Sequence, residues 1–157
     1  MRPHNRLNVQ KKQRRHYSGK KKRHTQKAQV IVNWQTKEIL ATDFAQGRQH
    51  DFQLFKDSQC AFAAHTRVLA DAGYQGLGEL QLNSQTPLKK SKLHPLTRAQ
   101  KLVNRAWSCK RLLIEHIIRA LKIFRILSER YRNRRKRFGL RFNLIAAIYN
   151  LELKNAH

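Results

Sequence analysis

Charge is placed so unevenly along this chain that only its middle can build an ordinary, near-neutral fold. Residues 1–27 hold eleven Lys and Arg and no acid, and residues 89–157 hold nineteen against three acids. Between them, residues 28–88 hold four basic residues against six acids. Like charges packed as densely as in the flanks repel one another unless a polyanion neutralises them. The pattern predicts a scaffold that carries chemistry in its centre and grips an anionic partner at both ends. A formal net charge of +25 makes nucleic acid the natural partner.

The chain is not a disordered basic tail, because 40% of its residues are hydrophobic, including seven Phe, four Tyr and two Trp. Its 157 residues suffice for one domain with a real core and are too few for two ordinary ones. No apolar stretch approaches the roughly 20 residues that a spanning helix needs, so no membrane partner is expected. The first six residues lack the apolar run of a signal peptide. Cys60 and Cys109 have no Cys or His at zinc-ligand spacing, and read as buried, reduced thiols of a cytosolic protein. The eight His show no HExxH or other paired spacing, which argues against a histidine metal site.

Period and punctuation predict an α/β layer fold. Ala28 to Trp34 is β-branched and bounded by polar residues, so it reads as a strand, with Glu38 to Ala45 as its hairpin partner across Gln35-Thr36-Lys37. A short helix follows, with Asp51 near its start and Phe52 and Phe55 on one face. Arg67 to Asp71 reads as a short, apolar, central strand. Gly73, Gly76 and Gly78 then mark a loop, and Thr86-Pro87-Leu88 begins another extended piece. From Thr97, a plausible N-cap, the apolar residues keep helical spacing through Leu121. A second helix is expected from about Ser128, loosened at Phe138-Gly139 and resuming through Leu144 to Tyr149.

Two carboxylates stand out against so basic a background. Asp71 ends the apolar run Val68-Leu69-Ala70, and Glu115 interrupts the apolar series Leu112-Leu113-Ile114 and Ile117-Ile118. A carboxylate at the C-terminal end of a strand lies where open α/β sheets place ligands. Asp71 equally suits a cap on the turn that follows. Arg111, Glu115 and Arg119 fall four residues apart, with Lys122 one turn further on. That spacing suits a salt-bridged polar stripe, and equally a metal-binding carboxylate between cations that hold phosphates. Two divalent cations about 3.5–4 Å apart need hard oxygen ligands from separate elements, and a strand-end Asp with a helix Glu suits that need.

Three runs of residues then join in one order: Tyr17 to Thr25 (YSGKKKRHT), Gly47 to Asp51 (GRQHD) and Leu69 to Gly76 (LADAGYQG). The tail adds Leu121 to Leu127 and the basic run Tyr131 to Phe138. Together they resemble the DDE transposases of bacterial insertion sequences. The resemblance implies a ribonuclease H-like mixed sheet flanked by helices, and an Asp-Asp-Glu triad that binds Mg²⁺ or Mn²⁺ in a two-metal site. Asp71 matches the second Asp and Glu115 the Glu, so both are the expected catalytic and metal-ligating residues. The family's helix signature Tyr-x₂-Arg-x₃-Glu-x₆-Lys finds Arg111, Glu115 and Lys122 in register, with Ser108 at the Tyr position. Arg111 and Lys122 would then hold DNA phosphates, joined by Lys20, Lys21, Lys22 and Arg23 of the arm and by Arg134 and Arg135 of the tail.

The family's first Asp lies on its first strand, shortly before an Arg-Pro such as Arg2-Pro3. Here no acid precedes Glu38. Asp43, on the hairpin, and Asp51, read as a helix-start or turn residue, are not natural replacements. The chain therefore resembles the C-terminal part of a transposase, with the first strand missing or incomplete, and is expected to bind DNA without cutting it alone. Its expected organisation is a basic arm over 1–27, a truncated ribonuclease H-like DDE domain over 28–127 and a basic helical extension over 128–157. The expected partner is DNA at insertion-sequence ends, with self-association or pairing with an N-terminal transposase fragment, in the cytoplasm at the bacterial nucleoid. Two rival readings are a non-enzymatic basic nucleic-acid-binding protein and a transposase fragment that regulates its parent element.

Overall fold

The computed structural model describes residues 17–18, 23–90, 95–128 and 137–156. It is mixed α/β. Among the described residues the strands are β1 (Tyr17–Ser18), β2 (Arg23–His24), β3 (Gln26–Val32), β4 (Ile39–Gln46), β5 (Val68–Leu69) and β6 (Ser84–Gln85). The helices are α1 (Asp51–Asp57), α2 (Leu77–Leu80), α3 (Arg98–Leu121), α4 (Arg125–Ser128) and α5 (Phe138–Asn155), with a 3₁₀ turn at Ala72–Tyr74. The strands pair as three two-stranded sheets, β1 with β2, β3 with β4 and β5 with β6. The last pair is parallel, with Val68 opposite Ser84 and Leu69 opposite Gln85. Two compact units emerge, Met1–Gln29 with Asp43–Gln85, and Val30–Thr42 with Thr86–His157.

The first unit is built around α1. Its start is set by His50, whose ring nitrogen Nδ1 accepts from the Phe52 amide at 3.3 Å, with Asp51 in the first turn where the helix dipole favours an acid. Leu54 and Phe55 of α1 are buried, as is Leu77 of α2. The Phe55 ring stacks on Phe62 at 6.1 Å and meets the edge of Tyr74 at 6.3 Å. Two glutamines are buried among these apolar groups, and both are satisfied, as burial of an amide requires. Gln81 donates to the carbonyls of Ala63 and Thr66, while Gln29 donates to Ser58 and accepts from the Tyr74 hydroxyl. Gly76 opens α2 with φ +94, the left-handed region that favours glycine, and the Phe52 ring lies where a side chain would go.

The second unit is organised by α3, whose N-terminus carries a full capping box. The Gln100 amide donates to the Thr97 hydroxyl at 3.3 Å and the Thr97 amide donates to the Gln100 side chain at 2.9 Å. Trp107, Ile117 and Leu121 are buried, and α3 packs against α5, which buries Phe142, Ile145 and Ala146. Asn33 forms the hairpin turn by accepting from the amides of Gln35 and Thr36, which lets Lys37 adopt the left-handed φ of 62. The hairpin tip is tied to α5: the Asn150 amide group exchanges two 2.9 Å hydrogen bonds with the backbone of Ile39, and Lys154 pairs with Glu38 at 3.6 Å. Asn104 of α3 does the same for Leu88, with two bonds of 3.0 Å.

Several expectations shift. Trp34 lies in the turn, not the strand, because the Asn33 turn closes one residue earlier. The glycine-marked loop contains the 3₁₀ turn and α2, and the extended piece expected from Thr86 is instead β6, ending at Gln85. The stretch from Ser128 toward Phe138 expected to begin a second helix lies mostly outside the described residues, and α5 runs through the expected Leu144 to Tyr149. Among the described residues β5 has one neighbour, so the central position expected for it is not seen. Both cysteines are free, but Cys109 is exposed and Cys60 half-buried.

Candidate functional site

Asp71 follows β5 directly. The ladder continues one residue past the strand, the Ala70 amide donating to the Gln85 carbonyl at 3.0 Å. Asp71 then caps the 3₁₀ turn, its Oδ1 accepting from the Ala72 amide at 2.6 Å and its carbonyl from the Tyr74 amide at 3.0 Å. The capping reading of this residue holds, and the same geometry leaves the residue exposed at the end of a strand. A cap and a ligand role are compatible, since a carboxylate has two oxygens and about four lone-pair positions.

The turn that Asp71 caps is pressed against the start of α1. A side-chain carbon built on Gly73 would lie 2.7 Å from Asp51 Oδ2, so this backbone approaches that carboxylate as closely as glycine alone permits. The other oxygen, Asp51 Oδ1, pairs with Lys27 Nζ at 2.7 Å, and Lys27 also donates to the Gln49 carbonyl at 2.6 Å. Asp51 is the helix-start residue that its sequence position predicts, and it is also a clamp on this turn. Nothing local signals that second role, because its partner Lys27 lies 24 residues away.

Tyr74 reports the same neighbourhood. Burial, and then the negative charges of Asp51 and Asp71, push its phenol up to about 12 from the ordinary 10. The raised value means that the folded state holds this proton more tightly than the unfolded state does. The stabilisation is complete below about pH 10 and is lost as pH rises toward 12. Melting temperatures measured between pH 9 and 12 should therefore fall more steeply for the wild type than for Tyr74→Phe. Parallel slopes in the two proteins would refute the assignment.

Glu115 lies about three-quarters of the way along α3. Its side chain is 58% exposed and pairs with Arg111 Nη2 at 3.3 Å, a contact between successive turns. Lys122 caps the C-terminal end of the helix, where a cation meets the negative end of the dipole. Arg111, Glu115 and Lys122 therefore share one element, as their spacing predicts, while Asp71 belongs to the first unit and Glu115 to the second. Neither carboxylate is held inside a core. Arg23 lies in β2; Lys20, Lys21, Lys22, Arg134 and Arg135 lie outside the described residues.

Asp71 and Glu115 offer the hard oxygen donors that Mg²⁺ and Mn²⁺ take, and both have surface open to solvent. Among the described residues no group of three or more His, Cys, Asp and Glu could share a metal ion. Among the same residues no helix is long and apolar enough to cross a membrane.

Comparison with known proteins adds an independent line. A family described as "Transposase DDE domain" matches residues 2–151. A protein of Microchaete diplosiphon named as the probable transposase for insertion sequence element IS702 is 48% identical over 143 residues, covering 91% of this chain and 52% of that protein. The chain thus spans about half the length of this curated relative. No solved structure matches.

Proposed function

Because the chain belongs to the transposase DDE domain family of insertion sequences, we propose that it contributes DNA-binding surface and two metal-ligating carboxylates to metal-dependent cutting and joining of DNA. In this reading Asp71 and Glu115 are each ligands for a divalent cation, Mg²⁺ or Mn²⁺, and the architecture is a ribonuclease H-like sheet with flanking helices. A cation so held supplies Lewis-acid stabilisation of an in-line phosphodiester displacement. The protein's own groups do the positioning. Arg111 fixes the Glu115 carboxylate, and its guanidinium is of the kind that contacts phosphate oxygens. Lys122, seven residues beyond Glu115, lies about 10 Å further along the same helix and offers a second phosphate contact. The Asp71 side chain is preset by its hydrogen bond to the Ala72 amide.

The observation that carries the proposal is the Arg111–Glu115 pair, exposed on α3 in register with Lys122. A non-enzymatic basic binder needs the cations but has no use for that carboxylate in their midst. The substrate is then DNA at insertion-sequence ends, engaged with further copies of the chain or with the rest of a longer transposase, at the bacterial nucleoid.

Mn²⁺ binding to the purified chain, read by electron paramagnetic resonance with duplex DNA present, tests the carboxylates. Changing a residue that merely supports a metal ligand costs about 10–100-fold in affinity, so removing a ligand should cost at least about tenfold. Asp71→Asn and Glu115→Gln are each expected to weaken Mn²⁺ by that much without lowering the melting temperature appreciably. Asn still caps the turn, and an exposed ion pair contributes about 0–1 kcal/mol. Wild-type Mn²⁺ affinity in both variants would overturn the metal-ligand role.

A further inference from the structure

α3 carries more positive charge than the family signature accounts for. Arg98, Lys101, Arg105 and Arg119 are all exposed, and none meets a carboxylate among the described residues. At 100° per residue these four fall with Arg111, Glu115 and Lys122 inside an arc of about 140°, on the side away from buried Trp107, Ile117 and Leu121. Six cations and one acid therefore form a single stripe, and Glu115 lies inside it.

A solvated helix face usually mixes the two signs, because opposite charges three and four residues apart support the helix and like charges weaken it. Here Arg98–Lys101 and Lys101–Arg105 place like charges at those spacings, with no acid of the helix N-terminal to Glu115. An anion laid along the stripe removes that repulsion. At 1.5 Å per residue the stripe from Arg98 to Lys122 spans about 36 Å. That is close to one turn of duplex DNA, about 34–36 Å. A flexible or compact anion would not need so long and so straight an array.

We propose that α3 lies along the backbone of duplex DNA, and that Arg98, Lys101, Arg105 and Arg119 bind phosphates on either side of the Arg111–Glu115 pair. The helix thereby acts as a ruler, fixing where Glu115 falls relative to phosphates up to about one helical turn away. This inference rests on the DNA-handling role proposed above and adds four contacts to it.

The test is the salt dependence of binding to a fluorescently labelled duplex, followed by anisotropy. Each phosphate contact contributes about −0.9 to the slope of log K against log salt. Arg98→Gln/Lys101→Gln/Arg105→Gln should therefore flatten the slope by about 2–3, and Arg119→Gln alone by about 0.9. Lys110→Gln serves as the control, because the Lys110 ammonium lies over the Trp107 ring at 5.6 Å, off the stripe; its slope should match the wild type. Circular dichroism confirms that each variant keeps its helix, and Arg119→Gln is read alone if the triple variant does not. An unchanged slope in folded variants, with wild-type binding intact, overturns the stripe and leaves the carboxylate reading standing. Failure of the wild type to retain duplex at low salt overturns the DNA-handling role and the stripe together.

Discussion

Trp107→Ala should lower the unfolding free energy by about 3–5 kcal/mol, the range for removing a buried aromatic ring from a core. The ring is 8% exposed and is one of three buried side chains on the inner face of α3, with Ile117 and Leu121. Its loss leaves a void that the two-bond tie between Asn104 and Leu88, one turn earlier, keeps from collapsing freely. It also removes the surface that Lys110 covers. Since a typical domain is stable by only 5–15 kcal/mol, this single change should consume a large part of the margin. Urea denaturation followed by tryptophan fluorescence from Trp34, the other Trp of the chain, measures it. A loss below about 1 kcal/mol would mean that the α3 face around residue 107 is not a packed core.

Leu77→Ala is expected to cost about 2–5 kcal/mol by the same mechanism in the other unit. Leu77 is 1% exposed, among the least accessible side chains described. It follows Gly76, whose positive φ is what directs the chain into the core at this point. Because α2 has only four residues, its own hydrogen bonding cannot hold it, and burial of Leu77 is its main anchor. Hydrogen exchange should therefore rise first in residues 71–81, the turn after Asp71 and α2. Unchanged protection there would refute the anchoring role.

Much of this layout is written locally. The capping box and the apolar period of α3 lie within the helix itself, so its start and its buried face are readable directly. The Arg111–Glu115 pair is likewise a consequence of four-residue spacing. The same period, applied to Cys109, would have placed it away from Trp107 and therefore exposed. What local pattern does not contain is partnership at a distance. β6 is Ser84–Gln85, polar and two residues long, and only its parallel pairing with β5 makes it a strand. The clamp of Lys27 on Asp51 and the close approach of Gly73 are tertiary facts. For Asp71, sequence left a choice between cap and ligand. The structure shows the cap, and the exposed position keeps the ligand role open to the Mn²⁺ measurement.

The tie between Asn150 and Ile39 also bears on how the chain reaches its fold. The two residues are 111 positions apart, and the neighbouring contact from Thr42 to Asn143 spans 101. Contacts so distant close large loops, and chains rich in them fold slowly. During synthesis the hairpin tip must wait for nearly the whole of the chain before its backbone groups at Ile39 find the amide that satisfies them. Until then the end of β4 is an open strand edge, the kind of surface on which nascent chains associate. A transposase segment built this way gives translation speed, as well as sequence, a say in how much soluble protein a cell obtains.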